Sequence, residues 1–160
     1  MRKWVAAMAV WALACGGGEP GAGAESEPAG NRSETGTPAV TAGTGTVHEV
    51  RMLLTDDNKY VYRPASLTVK VGDTVRWLNV SGFPHNVAFY SDKIPDGARE
   101  FLDAVYQNDT AKLGPLSGRL MTQPNDTYEI SFVGAPTGTY EYFCTPHEAL
   151  GMIAALTVTQ

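Results

Sequence analysis

Gly138-Thr-Tyr-Glu-Tyr-Phe-Cys-Thr-Pro-His-Glu-Ala-Leu-Gly-Met-Ile-Ala-Ala-Leu-Thr-Val-Thr159 is the stretch on which the reading of this chain turns. Thr139 to Phe143 alternates in the manner of a strand, and Ile153 to Thr159 does so again. Between them, Cys144, His147 and Met152 form a C-x2-H-x4-M set, offering one thiolate, one imidazole and one thioether from a short loop. A loop held by two strands can fix such donors in space. Pro146 disfavours the helical region for Thr145 and predicts an extended residue there. Gly151 supplies the backbone freedom to bring Met152 back towards the loop.

The other runs of the domain are also short and β-rich. Val47–Leu54, Tyr60–Tyr62, Leu67–Val71, Thr74–Asn79, His85–Tyr90 and Thr127–Val133 are punctuated by Asp56-Asp57-Asn58, Gly72-Asp73 and Ser81-Gly82-Phe83-Pro84. With the two strands above, this predicts about eight strands. Phe101, Leu102, Val105 and Tyr106 fit one short amphipathic helix over Glu100–Gln107, while Leu113–Met121 has no clear period. The expected fold is all-β, an antiparallel sandwich.

Upstream, the texture is different. Met1-Arg2-Lys3 and the apolar Trp4–Ala14 read as an export signal over residues 1–14, too short for the ~20 residues that span a bilayer. The context Ala12-Leu13-Ala14-Cys15-Gly16 resembles a bacterial lipoprotein signal, in which Cys15 becomes the lipidated first residue, although Ala12 replaces the more usual Leu. Simple cleavage after Ala14, giving a soluble form, is the competing reading. Residues 16–46 hold nine Gly and three Pro with Val40 as the only large apolar side chain, so residues 15–46 read as a lipidated start and a flexible tether. A Gly-rich coil of that length has a mean reach of roughly 30 Å. The expected location is the bacterial cell envelope, on the exported side.

The net charge of −5 is spread without any basic patch; residues 47–160 carry thirteen acidic and nine basic side chains. That composition excludes a nucleic-acid-binding role. An unpaired Cys144 in an exported chain calls for a use, and metal ligation is one.

Two histidines and one cysteine with a weak methionine contact make the donor set of a blue-copper site, acceptable to both Cu(I) and Cu(II). The sequence supplies this set once, as His85, Cys144, His147 and Met152. Taken singly, each has a plainer reading as a core or loop residue; their joint spacing favours one copper ion. Zinc takes S/N/N sites as well, but thioether is a poor zinc ligand. A Cys–His hydrolase with Asn86 as orienting group is the enzymatic alternative, and it leaves Met152 unused. His48, beside Glu49, is read as having no part in the site.

These residues resemble the plastocyanin family. Tyr62-Arg-Pro-Ala-Ser-Leu-Thr-Val-Lys-Val-Gly-Asp-Thr-Val-Arg-Trp-Leu-Asn79 looks like the family's early strands. Gly82-Phe-Pro-His-Asn-Val-Ala-Phe-Tyr-Ser-Asp-Lys-Ile-Pro-Asp-Gly97 looks like its first-ligand region. Pro124–Ile130 and Gly138–Met152 complete the match in the right order. The resemblance implies a Greek-key β-sandwich over residues 47–160, with copper at one end and His147 near the surface. It implies that Asn86 and Pro146 support the ligands, Asn86 by tying the His85 strand to the Cys144 loop. Tyr60, Gly82, Phe83, Pro84 and Leu150 would form an apolar docking face.

The implied function is one-electron transfer, not enzymatic catalysis, by a monomer tethered to a membrane. Its partners would be redox proteins such as a c-type cytochrome, a membrane oxidase or a photosynthetic reaction centre. Periplasmic copper delivery or storage is the alternative, and a β-sandwich adhesion module with an incidental site is a third. Phe143 stands where the family usually has Tyr, and the 99–121 segment is longer than its counterpart, so the partner is not carried over with the fold.

Overall fold

A computed structural model describes residues 45–160; the signal segment, Cys15 and nearly all of the tether lie outside the described residues. Within the described residues, ten strands form two sheets packed face to face. Strands β1 (Val47–Leu54), β2 (Tyr60–Arg63), β4 (Thr74–Asn79) and β8 (Thr127–Ser131) make one sheet, in the order β2-β1-β4-β8. The other contains β3 (Ser66–Lys70), β5 (Ala88–Phe89), β6 (Lys112–Gly114), β7 (Ser117–Arg119), β9 (Gly138–Phe143) and β10 (Ile153–Thr159). Its order is β3-β10-β9-β5-β7-β6. Helix α1 covers Ala98–Tyr106, within two residues of the expected span at either end.

The all-β sandwich with one short helix therefore holds, with three differences. Leu113–Met121 resolves into the β6–β7 hairpin, whose strands are too short to leave a period in the sequence. The expected His85–Tyr90 strand shrinks to Ala88–Phe89: the Asn86 carbonyl accepts from the Tyr62 hydroxyl and not from a neighbouring strand. His85 keeps only a bridge to Met121. The ladders are also not wholly antiparallel: β1 pairs with β4, and β10 with β3, in parallel.

Alternation sets the core. Val75, Trp77 and Asn79 of β4 point inward, as do Val50 and Met52 of β1 and Tyr140 and Tyr142 of β9. Trp77 meets Tyr142 edge-on at 5.6 Å, and Tyr142 meets Tyr62 at 4.8 Å, an arrangement aromatic quadrupoles favour. Tyr62 ends this stack by donating from its hydroxyl to the Asn86 carbonyl at 2.6 Å, so the core aromatic column terminates on the residue after His85.

Direction along the strands separates two ends of the sandwich. Val47 pairs with Thr74, while Met52 pairs with Asn79. Asn79 leads into the 81–84 loop, and β9 and β10 meet across Phe143 and Ile153 at that same end. At the other end, His48, read above as uninvolved in the site, has a structural task. Its Nε2 lies 2.8 Å from Asp73 Oδ2, and the Asp73 carboxylate also accepts from the Thr46 and Lys70 amides at 2.8 and 2.9 Å. This clamp joins the start of β1 to the β3–β4 turn.

Candidate metal centre

Extended Cys144 (φ −96°, ψ 115°) closes β9, and the chain then turns through a 3-10 helix, Thr145–Leu150. The extended residue is thus Cys144 and not Thr145. Pro146 sits in the first turn of the 3-10 helix, where its missing N–H costs nothing. His147 donates its amide to the Cys144 carbonyl at 2.9 Å. Gly151 caps the turn at φ 83°, a left-handed conformation that an L side chain resists. Met152 then donates to the His147 carbonyl at 3.1 Å and accepts from the Cys144 amide at 3.1 Å. Three candidate ligands are thereby locked through their backbones into one circuit that runs from Cys144 to Met152.

His85 comes from the other loop. Its amide and carbonyl pair with Met121 at 3.0 and 2.8 Å, and Asn79 secures the preceding turn. Asn79 donates to the Phe83 and Met121 carbonyls at 2.8 and 3.0 Å and accepts from the Gly82 amide at 2.9 Å. A Cβ on Gly82 would stand 2.9 Å from Pro124 Cγ, so the turn has no room for a side chain there.

The result is a compact cluster. Cys144 Sγ lies 3.6 Å from His85 Nδ1 and 3.4 Å from His147 Nδ1. All three donor atoms fall within 4.8 Å of one another. His85, Cys144 and Met152 are fully buried, and His147 is 8% exposed. His147 thus keeps a small exposed edge beside Leu150 and Phe83, with Tyr60 stacked on its ring at 3.7 Å and 12° between planes.

Burial shapes the protonation of each group. It pushes the Cys144 thiol up to about 11, while backbone hydrogen bonds from Asn86 and His147 act in the opposite direction. Burial, and then the neighbouring His147, brings His85 down to about 4, and burial lowers His147. At neutral pH the cluster is two uncharged imidazoles aimed at a thiol, with no carboxylate in the group. Imidazoles in that state are competent ligands, and a thiolate in so apolar a place needs a bound cation to offset its charge. The donors fit copper.

Asn86, fully buried, spans the two loops. Its Oδ1 accepts from the Thr145 amide at 2.8 Å, and its Nδ2 donates to Thr145 Oγ1 and Ser117 Oγ, both at 3.0 Å. Around the cluster, Phe83 is 44% and Leu150 64% exposed, and Phe83 meets Tyr60 edge-on at 5.8 Å. Asn79, Ser81, Tyr62 and Ser117 support the site without having been singled out from sequence. Only Asn79 and Ser81 left a signal there, as polar residues opening a turn before Gly82.

A buried thiol and two imidazoles at one end of a two-sheet sandwich define a copper protein of the cupredoxin class. Residues 49–159 match the family of copper-binding proteins described as plastocyanin/azurin. Plastocyanin of Synechococcus sp. (strain JA-2-3B'a(2-13)) is 41% identical over 104 residues, covering 64% of this chain and 67% of the relative. Plastocyanin of Scenedesmus fuscus is 38% identical over 103 residues, 64% of this chain and 91% of that one. The solved oxidised plastocyanin of Dryopteris crassirhizoma superposes with a TM-score of 0.50 at 26% identity, covering 70% of this chain and all of that one. The chain belongs to the plastocyanin/azurin family; it is an electron carrier with copper as cofactor, not an enzyme.

Proposed function

We propose that this protein is a membrane-tethered shuttle, moving single electrons between redox proteins of a bacterial envelope from a copper site of His85, Cys144, His147 and Met152. One observation carries the reading: a buried thiol faced by two neutral imidazole nitrogens at 3.4 and 3.6 Å, free of carboxylates. Copper bound there would alternate between Cu(II) and Cu(I) on ligands that suit both. The chain's own part is to hold those ligands still, through the Cys144–Met152 backbone circuit and Asn86, so that little has to rearrange as the charge changes. Protein dipoles fixed in advance serve this better than water can.

Electron exchange would take place at the end of the sandwich where Tyr60 covers His147. Phe83 and Leu150 are exposed there beside Gly82 and Pro84, an apolar face that suits brief contact with a c-type cytochrome, an oxidase or a reaction centre. A monomer suffices for that contact. Lipidation at Cys15 would hold the carrier to the membrane, with residues 16–46 as leash.

The visible spectrum of the copper-loaded protein tests the centre. An intense red-region band from the Cys144 thiolate, abolished in Cys144→Ser, is expected, and a colourless protein that takes zinc equally well would sink the reading. Membrane fractionation of the full chain against Cys15→Ser tests the tether separately. Equal release of both into the soluble fraction would remove the lipid anchor and leave the carrier role intact.

A further inference from the structure

His85 has two ring nitrogens, and only one of them faces the thiol. Nδ1 lies 3.6 Å from Cys144 Sγ. Nε2 lies 2.8 Å from Ser81 Oγ, its one hydrogen-bonding partner among the described residues. Ser81 Oγ is also 3.4 Å from Asn79 Oδ1. Asn79 is fully buried, and its amide group points the other way, donating to the Phe83 and Met121 carbonyls. Its Oδ1 is therefore an acceptor, and it already receives the Gly82 amide at 2.9 Å.

The direction of the chain follows from that fixed end. Oδ1 can only accept, so the Ser81 hydroxyl proton has an outlet towards it; of the two Ser81 lone pairs, one faces the Phe83 amide at 3.4 Å and the other is left for His85 at 2.8 Å. The His85 ring then carries its proton on Nε2 and donates it to Ser81, and Nδ1 is left with its lone pair towards Cys144. A neutral imidazole has one proton to place, and which nitrogen holds it is decided by what the other can bond.

We infer that Ser81 is a positioning residue for His85: its hydroxyl, oriented by Asn79, holds the imidazole as the Nε2–H tautomer and keeps Nδ1 as a ready metal ligand. The inference rests on the copper reading above. Partners of this kind fix the ring of a metal-binding histidine and raise its basicity, and removing them typically costs 10–100-fold in affinity. Backbone groups often do this work; a side chain makes it separable by mutation. Ser81→Ala removes the acceptor, and Ser81→Thr retains the hydroxyl.

Three measurements on the whole protein test this. Long-range 1H–15N correlation spectra of the metal-free protein report the tautomer, and with only three histidines the rings can be assigned by His48→Gln and His147→Gln. The expected result is Nε2–H for His85 in wild type and Ser81→Thr, with a substantial Nδ1–H population in Ser81→Ala. Cu(II) affinity by competition with a chelator is expected to fall roughly 10–100-fold in Ser81→Ala and to recover in Ser81→Thr. The reduction potential is expected to rise in Ser81→Ala, because a less basic imidazole stabilises Cu(II) less. An unchanged tautomer in Ser81→Ala overturns the inference even if affinity falls, since that loss would then come from the loop alone. An affinity within about twofold of wild type overturns it as well. Wild-type protein without the thiolate band would instead refute the copper reading, so the two failures are distinguishable.

Discussion

Asn86→Ala should disconnect the two halves of the metal centre, and the cost can be worked from its bonds. The side chain makes three good hydrogen bonds, at 2.8, 3.0 and 3.0 Å, and a fourth at 3.4 Å to the Gly118 carbonyl. Ser117 Oγ keeps a contact with the Gly118 carbonyl at 3.3 Å, and Thr145 is exposed enough for water to reach its hydroxyl. The unrecovered losses are the Thr145 amide bond and one buried bond to Ser117, roughly 1 kcal/mol each. The vacated carboxamide volume adds about 1 kcal/mol. A total near 3 kcal/mol should lower the melting temperature of the metal-free protein by about 12 °C, at ~4 °C per kcal/mol for a domain of this size. Calorimetry and urea unfolding measure the global term, and hydrogen exchange should show reduced protection at the Thr145 and His147 amides. Copper-loaded Asn86→Ala should also show a displaced thiolate band, because Cys144 has lost its tie to the His85 loop. A destabilisation below 1 kcal/mol, or a full loss without any change at Thr145, would refute the bridging role.

The Asp73 clamp predicts acid sensitivity at the opposite end. The Lys70 amide, His48 and the Thr46 amide hold the Asp73 carboxyl below its usual range, so it contributes stability above about pH 4 that disappears as pH falls through its lowered folded value. Asp73→Ala should cost about 2–4 kcal/mol at pH 7, and the gap to wild type should narrow as acid unfolding is followed downward from pH 4. His85 acts in a higher window. Its folded value near 4 against an ordinary 6.5 means that unfolding takes up a proton between them. Stability of the metal-free protein should accordingly decline as pH falls from about 6.5 towards 4, and His85→Gln should flatten that slope in a urea titration. Tyr60→Leu removes the stack on His147, worth about 0.5–1.5 kcal/mol. Copper loss to a competing chelator should then quicken by roughly 2–10-fold, and an unchanged rate would show that the stacked ring does not hold His147 in place.

The donor set was legible because its spacing is set by covalent geometry: Cys144, His147 and Met152 lie within one turn, and a 3-10 helix closed by Gly151 is a short-range event. The strands were legible for a similar reason, since Val75-Trp77-Asn79 and Tyr140-Tyr142 write their alternation directly into the chain. The β6–β7 hairpin was not, because three-residue strands carry less than two periods. The covering of His147 by Tyr60 was not legible either. These residues lie 87 positions apart, and their stacking depends on β2 reaching the same end of the sandwich as the 145–150 turn. The task of His48 was equally hidden, because its partner Asp73 reads in the sequence simply as a turn residue after Gly72.

The same topology decides where attachments to the domain emerge. Val47 pairs with Thr74, and the Thr159 carbonyl accepts from the Val71 amide, so the first and last strands both have their free ends at the Asp73 end. The candidate ligands all lie at the other end, six β4 residues away, a separation on the order of 20 Å at 3.3 Å per residue. An anchor acting through residues before Gly45 would therefore pull on the clamp formed by Thr46, His48, Lys70 and Asp73, leaving Tyr60, Phe83 and Leu150 clear. The clamp gives β1 a second fastening beyond its ladder, at the place where load from a tether would enter the sheet. Stability at the Asp73 end and access at the His147 end are thus served by different residues. A change that weakens the clamp should leave the reduction potential untouched, whereas a change at Ser81 or Asn86 should not.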